Sequence, residues 1–421
     1  KNSNNKVTTS NANNIVNFTD TRLSNTDIAI NSIGGNALLF NNVNQTDSTG
    51  QNNIHVESSS NRTNVLDFQG MNKNLNIDLV GGNNKIDFRD SNNSDMTISA
   101  NSSSDNTLSI KDSMMGKVTY YSESGHDVVV LENVNKDAIS SNKFIINTDK
   151  GENLGTAGSG NSFTVSGENK NITINTGEKD DVFDFSHSVS NDNLSITSLG
   201  GNNTFKMTGA LINSRIESKG SGNDTYSFDG VNVNSGSAAN KLNVIEHNGN
   251  NTFDFSGENH WIDITGGYGD DIFNFYAGNN SNVNIKGLSG TNQYNIYDIN
   301  SMPTRIDGGN EVDIFTFKGQ EVNDKEMFYY INNQTTQIDK FEFNALDDGQ
   351  KIVLDFSEIT ERYGNDTNTI NIEVGNKNNV EFRNEDGWTR IENADSDIFS
   401  YSGLGEVHVS YSENSQGDSM H

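Results

Sequence analysis

The chain has 421 residues, a formal net charge of −29, a pI near 4.4, no cysteine and one proline. Disulfides, thiolate metal sites and thiol chemistry are excluded, and nucleic acid is a poor partner because its phosphates would be repelled. Apolar residues make up only 31%, yet 22 Phe and 12 Tyr are present; no run reaches the roughly 18 apolar residues of a membrane helix, so the core has to be built economically.

Taken in chain order, one pattern recurs. A polar Gly/Asn/Asp turn leads into an apolar residue with a second apolar residue two places on. The pairs are Val16/Phe18, Leu38/Phe40, Leu66/Phe68, Ile86/Phe88, Leu108/Ile110, Val129/Leu131 and Phe163/Val165, then Phe183/Phe185, Phe205/Met207, Tyr226/Phe228, Phe253/Phe255, Phe273/Phe275, Tyr294/Ile296 and Phe315/Phe317. From Phe183 to Phe315 the first members lie 22, 21, 27, 20, 21 and 21 residues apart, and the longer steps along the chain read as loop insertions. About nine residues before each pair comes a second alternating stretch, as at Ile77, Ile174, Ile196, Ile264 and Ile285. Period-two alternation marks half-buried strands, and a fixed period marks a repeat architecture. The expectation is an all-β, right-handed parallel β-solenoid, β-roll or β-helix-like, with about 21 residues and two strands per coil. It spans residues 1–318. Residues 319–412 read as a β-rich C-terminal cap or assembly domain, and 413–421 as a disordered tail.

Two places before each pair stands a polar residue that coil stacking would align in a column. In order these are Asn14, Asn36, Asn64, Asn84, Asn106, Asp127, Asp181, Asn203, Asp224, Asn251, Asp271, Asn292 and Asp313. Stacked asparagines can form an amide ladder. Stacked aspartates would repel unless a cation lay between them.

The turn "GGYGDDIFN" at 266–274 resembles the G-G-x-G-x-D-x-U-x nonapeptide of RTX (repeats-in-toxin) proteins at every specified place. "KGSGNDTYS" at 219–227 lacks only the first glycine and "GGNEVDIFT" at 308–316 only the third; the turns around Asp127 and Asp181 keep fewer glycines. The array departs from the family in having a longer coil with one motif per coil. The resemblance implies a column of Ca2+ sites drawn from Gly220, Gly222, Asp224, Gly266, Gly267, Gly269, Asp271, Gly308, Gly309 and Asp313, with Asp181 and Asp127 upstream. It also implies secretion by a type I route. Carboxylate, amide and carbonyl oxygens suit calcium, and about one carboxylate per gap implies weak binding. For each position the alternative is a hydrogen-bonded turn without metal.

The functional expectation is a non-catalytic, secreted or cell-surface bacterial protein, a surface-layer, adhesin or filament component folding with calcium. Its partners would be calcium ions, other copies of itself, or a surface glycan or protein. One alternative is the repeat-and-export portion of a larger toxin or hydrolase, a reading suited to a chain that starts at Lys1 without Met. Another is a polysaccharide-acting β-helix enzyme, although no cluster of Arg, Lys and carboxylates marks a groove. His55, His126, His187, His247, His260, His408 and His421 show no metal spacing. Trp261 and Trp388 are expected to pack rather than stack on sugars. Asp270/Asp271 are adjacent on one strand and so face opposite ways, which argues against a paired acid/base site.

Overall fold

A computed structural model describes residues 3–8 (backbone only), 13–45, 50, 52–59, 62–101, 105–123, 125–139, 142–149, 160–233, 236–318, 335–343, 352–357, 369–401 and 405–411. Strand accounts for 65% of the chain, in parallel stacked coils of about 22 residues that form a β-solenoid. Two compact units divide it, Lys1–His247 and Asn248–His421. No described helix is long and apolar enough to cross a membrane.

The apolar pairs are in register from coil to coil. In the first unit Phe183 pairs with Phe205, and Phe205 with Tyr226. In the second, Phe253 pairs with Phe273, Phe273 with Tyr294 and Tyr294 with Phe315. The second alternating stretch stacks likewise, as Ile174–Ile196–Ile216 and Ile264–Ile285–Ile306. Because side chains alternate across a strand, one face of each strand fills a narrow core, which is why few apolar residues suffice. Equivalent aromatic rings lie one coil apart and stack. Phe18, Phe40, Phe68 and Phe88 follow one another at 5.1, 4.6 and 4.3 Å, and Phe253, Phe273 and Tyr294 at 4.7 and 5.0 Å. Each such pair contributes ~0.5–1.5 kcal/mol beyond its buried area.

Outward-facing asparagines also stack. Asn53 donates to Asp27 at 2.7 Å and Asn76 to Asn53 at 3.0 Å; Asn274 donates to Asp254 and Asn295 to Asn274, each at 2.8 Å. In both ladders the coil after an aspartate presents an amide rather than another carboxylate. These two ladders thereby avoid stacking like charges at coil spacing, although Asp67 and Asp87 do stand in register elsewhere.

The array runs further than its clearest sequence pattern. Phe341 and Phe343 of Lys340–Phe343 pair in parallel with Phe315 and Phe317. Ile370–Val374 then pairs in parallel with Lys340–Phe343, and Glu406–Tyr411 with Ile370–Val374. The anchor steps there, Phe315 to Phe341 to Ile372 to Val409, lengthen to 26, 31 and 37 residues, which hides the period. An antiparallel hairpin of Trp388–Glu392 and Ser396–Tyr401 joins the array there, the latter strand pairing with Glu406–Tyr411. Trp388 packs edge-on against Phe356 at 4.9 Å, a core role as expected. Trp261 sits half-buried at a turn with φ 56°. The 413–421 tail and His421 lie outside the described residues.

Candidate corner column

The turn that precedes each apolar pair buries its last polar residue. Asn36, Asn64, Asn84, Asn106, Asp127, Asn161, Asp181, Asn203 and Asp224 are buried in the first unit, and Asn251, Asp271, Asn292 and Asp313 in the second. A buried amide or carboxylate must be hydrogen-bonded, and coil stacking supplies the partners in two different ways.

Upstream the bonds run side chain to side chain. Asn14 donates to Asn36 at 2.7 Å, Asn36 to Asn64 at 3.0 Å, and Asn64 to Asn84 and Asn84 to Asn106 at 2.9 Å each. Further along, each corner side chain accepts from the backbone N–H of the preceding coil. Asp127 N donates to Asn161 Oδ1 at 3.1 Å, Asn161 N to Asp181 at 2.6 Å, Asp181 N to Asn203 at 2.9 Å and Asn203 N to Asp224 at 2.6 Å. In the second unit Asn251 N donates to Asp271 at 2.8 Å, Asp271 N to Asn292 at 3.1 Å and Asn292 N to Asp313 at 3.2 Å.

The residue just before the corner points the opposite way. Asp270 Oδ1 accepts from Thr291 N in the following coil at 2.7 Å, whereas Asp271 Oδ1 reaches the preceding coil. Asp180 and Asp181 repeat this arrangement, with Asp180 accepting from Asn202 N at 2.6 Å. The two adjacent aspartates of "GDDIF" and "KDDVF" are therefore a clamp gripping the coils on both sides. Asp270 is exposed and Asp271 fully buried, which disposes of a shared-proton pair between them.

What lines the corner changes along the chain. Val56, Leu79 and Ala100 occupy one inward place in register, upstream, where the corner residues are asparagines. Ser122 follows in register, and downstream the same strand end carries Thr176, Ser198, Ser218 and Glu246. The hydroxyls of Ser122, Thr176 and Ser218 stand near Asp127, Asp181 and Asp224 and offset part of the pKa rise caused by burial, while Asp127 Oδ2 and Asp181 Oδ2 keep no hydrogen-bond partner. Asp181 is still pushed up to about 6 by burial. Beside Asp224 stands a second buried carboxyl, Glu246, which accepts from the Tyr226 hydroxyl.

In the second unit the lining becomes glycine. A Cβ on Gly266 would sit 2.3 Å from Asp271 Oδ2, and one on Gly308 2.6 Å from Asp313 Oδ2. The first glycine of the nonapeptide is thus required by close approach of the corner carboxylate. Gly269, with φ 136° and a would-be Cβ 2.1 Å from Gly249 O, is required by both backbone conformation and the adjacent coil. No hydroxyl supports these two aspartates, and burial pushes Asp271 and Asp313 up to about 7. The charge of Asp270 adds to the rise at Asp271, and those of Asp339 and Asp307 at Asp313. Asp271 Oδ2 and Asp313 Oδ2 are buried without a hydrogen-bond donor, as is the Tyr294 hydroxyl. An oxygen in that position needs either a proton or a cation.

The sequence-predicted residues therefore fall on three turns and two upstream corners. Gly220, Gly222 and Asp224 share a turn of the first unit, whose column also contains Asp127 and Asp181. Gly266, Gly267, Gly269 and Asp271 share one turn of the second unit, and Gly308, Gly309 and Asp313 another, with the Asn292 coil between them. Among the described residues no three His, Cys, Asp or Glu side chains converge as a metal cluster. An ion beside Asp271 or Asp313 would draw most of its ligands from backbone carbonyls.

Sequence reasoning missed Asn161, although its apolar pair was recognised, and of the lining residues it named Gly266 and Gly308 but missed the hydroxyls of Ser122, Thr176 and Ser218. The available signal was a hydroxyl or glycine five residues before the corner aspartate, as in Ser122/Asp127, Thr176/Asp181, Gly266/Asp271 and Gly308/Asp313. The connection on the other side of each coil is ordered as well. That connection carries its own ladder, with Asn72 donating to Asn93 at 3.1 Å, and Asn169 to Asn191 and Asn259 to Asn280 at 3.0 Å each. The described histidines make local contacts, such as His55 with Asp78 and His247 with Glu217.

Comparison with protein-family models, with curated proteins and with solved structures gives no match for this chain.

Proposed function

We propose that this chain is a non-catalytic, secreted or cell-surface structural and adhesive β-solenoid of a bacterium, RTX-like in its turns and steadied by calcium outside the cell. The observation that carries the reading is that the buried, donor-less oxygens of Asp271 and Asp313, unlike those of Asp127 and Asp181, face glycine. Each lies against the first glycine of a turn resembling the calcium-binding nonapeptide. Gly266, Gly269 and Asp271, with Gly308 and Asp313, are the residues that would hold the ion. Calcium would neutralise the buried charge, and its binding free energy would add directly to folding. In the cytosol, where calcium is scarce, the same carboxylates would oppose folding of the neutral-pH chain. The structural role is supported by how the polar side chains of the corners and outer ladders are used: they tie coil to coil.

The test is thermal unfolding followed by circular dichroism in EDTA and in millimolar calcium. The melting temperature is expected to rise with calcium, and to a lesser extent with magnesium, which demands a tighter octahedral cage. Identical curves in the two buffers would remove calcium from the proposal and leave a metal-independent scaffold.

A further inference from the structure

Between Asn251 and the next coil, the corner holds an amide where a cation-binding turn would hold a metal. Asn251 Nδ2 donates to Gly249 O of its own turn at 3.2 Å and to Gly266 O of the following coil at 3.5 Å. Asn292 repeats the arrangement, its Nδ2 lying 3.4 Å from both Gly290 O and Gly308 O. In each case one nitrogen with two positively polarised hydrogens draws together carbonyl oxygens of two successive coils. Gathering oxygens of that kind is what a hard divalent ion does. The corners at Asp271 and Asp313 carry no such amide, and at each a buried carboxylate oxygen has no hydrogen-bond partner.

We infer that Asn251 and Asn292 are built-in cation substitutes. Their amide groups close every second gap of this column to metal, confining ion binding to the gaps at Asp271 and Asp313. The alternation follows from charge. With Asn above and below, no corner aspartate between Asn251 and Asn292 meets another carboxylate within the column. Each amide also satisfies the carbonyls that stacking would otherwise leave facing one another. The two asparagines thus set the number of ions the unit accepts. The assignment of sites to Asp271 and Asp313 rests on the calcium reading; the exclusion of metal by the asparagines stands apart from it.

The full chain carrying Asn251→Asp and Asn292→Asp turns the column into five consecutive carboxylates, because Asp339 of the next coil already accepts from Asp313 N at 2.9 Å. In EDTA this variant is expected to melt below wild type. Calcium chloride should raise its melting temperature by clearly more than it raises wild type, and calorimetric titration should count additional bound ions. Asn292→Asp alone provides the same comparison if the double variant does not fold in EDTA. Equal calcium increments for variant and wild type would overturn the inference. So would a single variant that stays unfolded even with calcium. A variant that responds while wild type does not would uphold the inference and defeat the calcium reading, so the two failures are distinguishable.

Discussion

Coils of the first unit around Asn64, Asn84 and Asn106 and coils of the second around Asp271 and Asp313 share paired strands over an apolar core and differ in their corners. The upstream corners are neutral. Amide bonds amide from Asn64 through Asn84 to Asn106, Ser58 adds a hydroxyl at Asn64, and the asparagines themselves carry no titrating group. The later corners alternate amide and carboxylate and are lined by glycine, leaving a buried oxygen whose state depends on protons and cations. One backbone thus supports a corner that is indifferent to its surroundings and another that responds to them. Core and corner are separable.

The largest effect should be equal in both regions. Phe68→Ala and Phe273→Ala each remove a ring stacked on two neighbours, and each is expected to cost ~3–5 kcal/mol in urea denaturation. A loss confined to one region would break the claim that the cores are alike.

The pH response should separate the two regions. A carboxyl whose folded pKa is raised from 3.8 to about 7, as at Asp271 and Asp313, binds its proton more tightly in the folded than in the unfolded state. Folding stability is then highest in acid and falls as pH rises between about 4 and 7. In EDTA, wild type should therefore melt higher at pH 5 than at pH 8. Asp271→Asn with Asp313→Asn should flatten that profile. An unchanged slope in this double variant would remove these two residues as its source.

A smaller and pH-independent loss is expected for Asn84→Ala, which interrupts the ladder between Asn64 and Asn106. Leaving buried amides unpaired costs ~1–3 kcal/mol, and calcium should not restore it. The smallest effect belongs to the outer ladder. Asn53→Ala removes exposed bonds to Asp27 and Asn76 and should shift stability by no more than about 0.5 kcal/mol.

The fold was legible because burial acts on alternate residues of every strand, and that constraint repeats with the coil. The corner column was legible for the same reason, since Asn84 or Asp271 lies at a fixed offset from an apolar pair. What resisted reading was anything set by a neighbour across the coil. Ser122 and Thr176 look like ordinary turn residues until the fold brings them beside Asp127 and Asp181. Asn292 looks like a weaker aspartate until its amide is seen holding Gly290 and Gly308. The continuation through Phe341, Ile372 and Val409 was hidden by lengthening steps rather than by any change in pairing.

The opposed reach of Asp270 and Asp271 bears on how such a chain comes to be wound. Each turn lends one side chain backward and one forward, so a newly laid turn finishes its predecessor and leaves its own amides waiting for the successor. Winding of this kind advances like a ratchet, each step secured by the next. Cutting the thread in the middle would strand donors on both faces of the break, whereas trimming an end would expose only one.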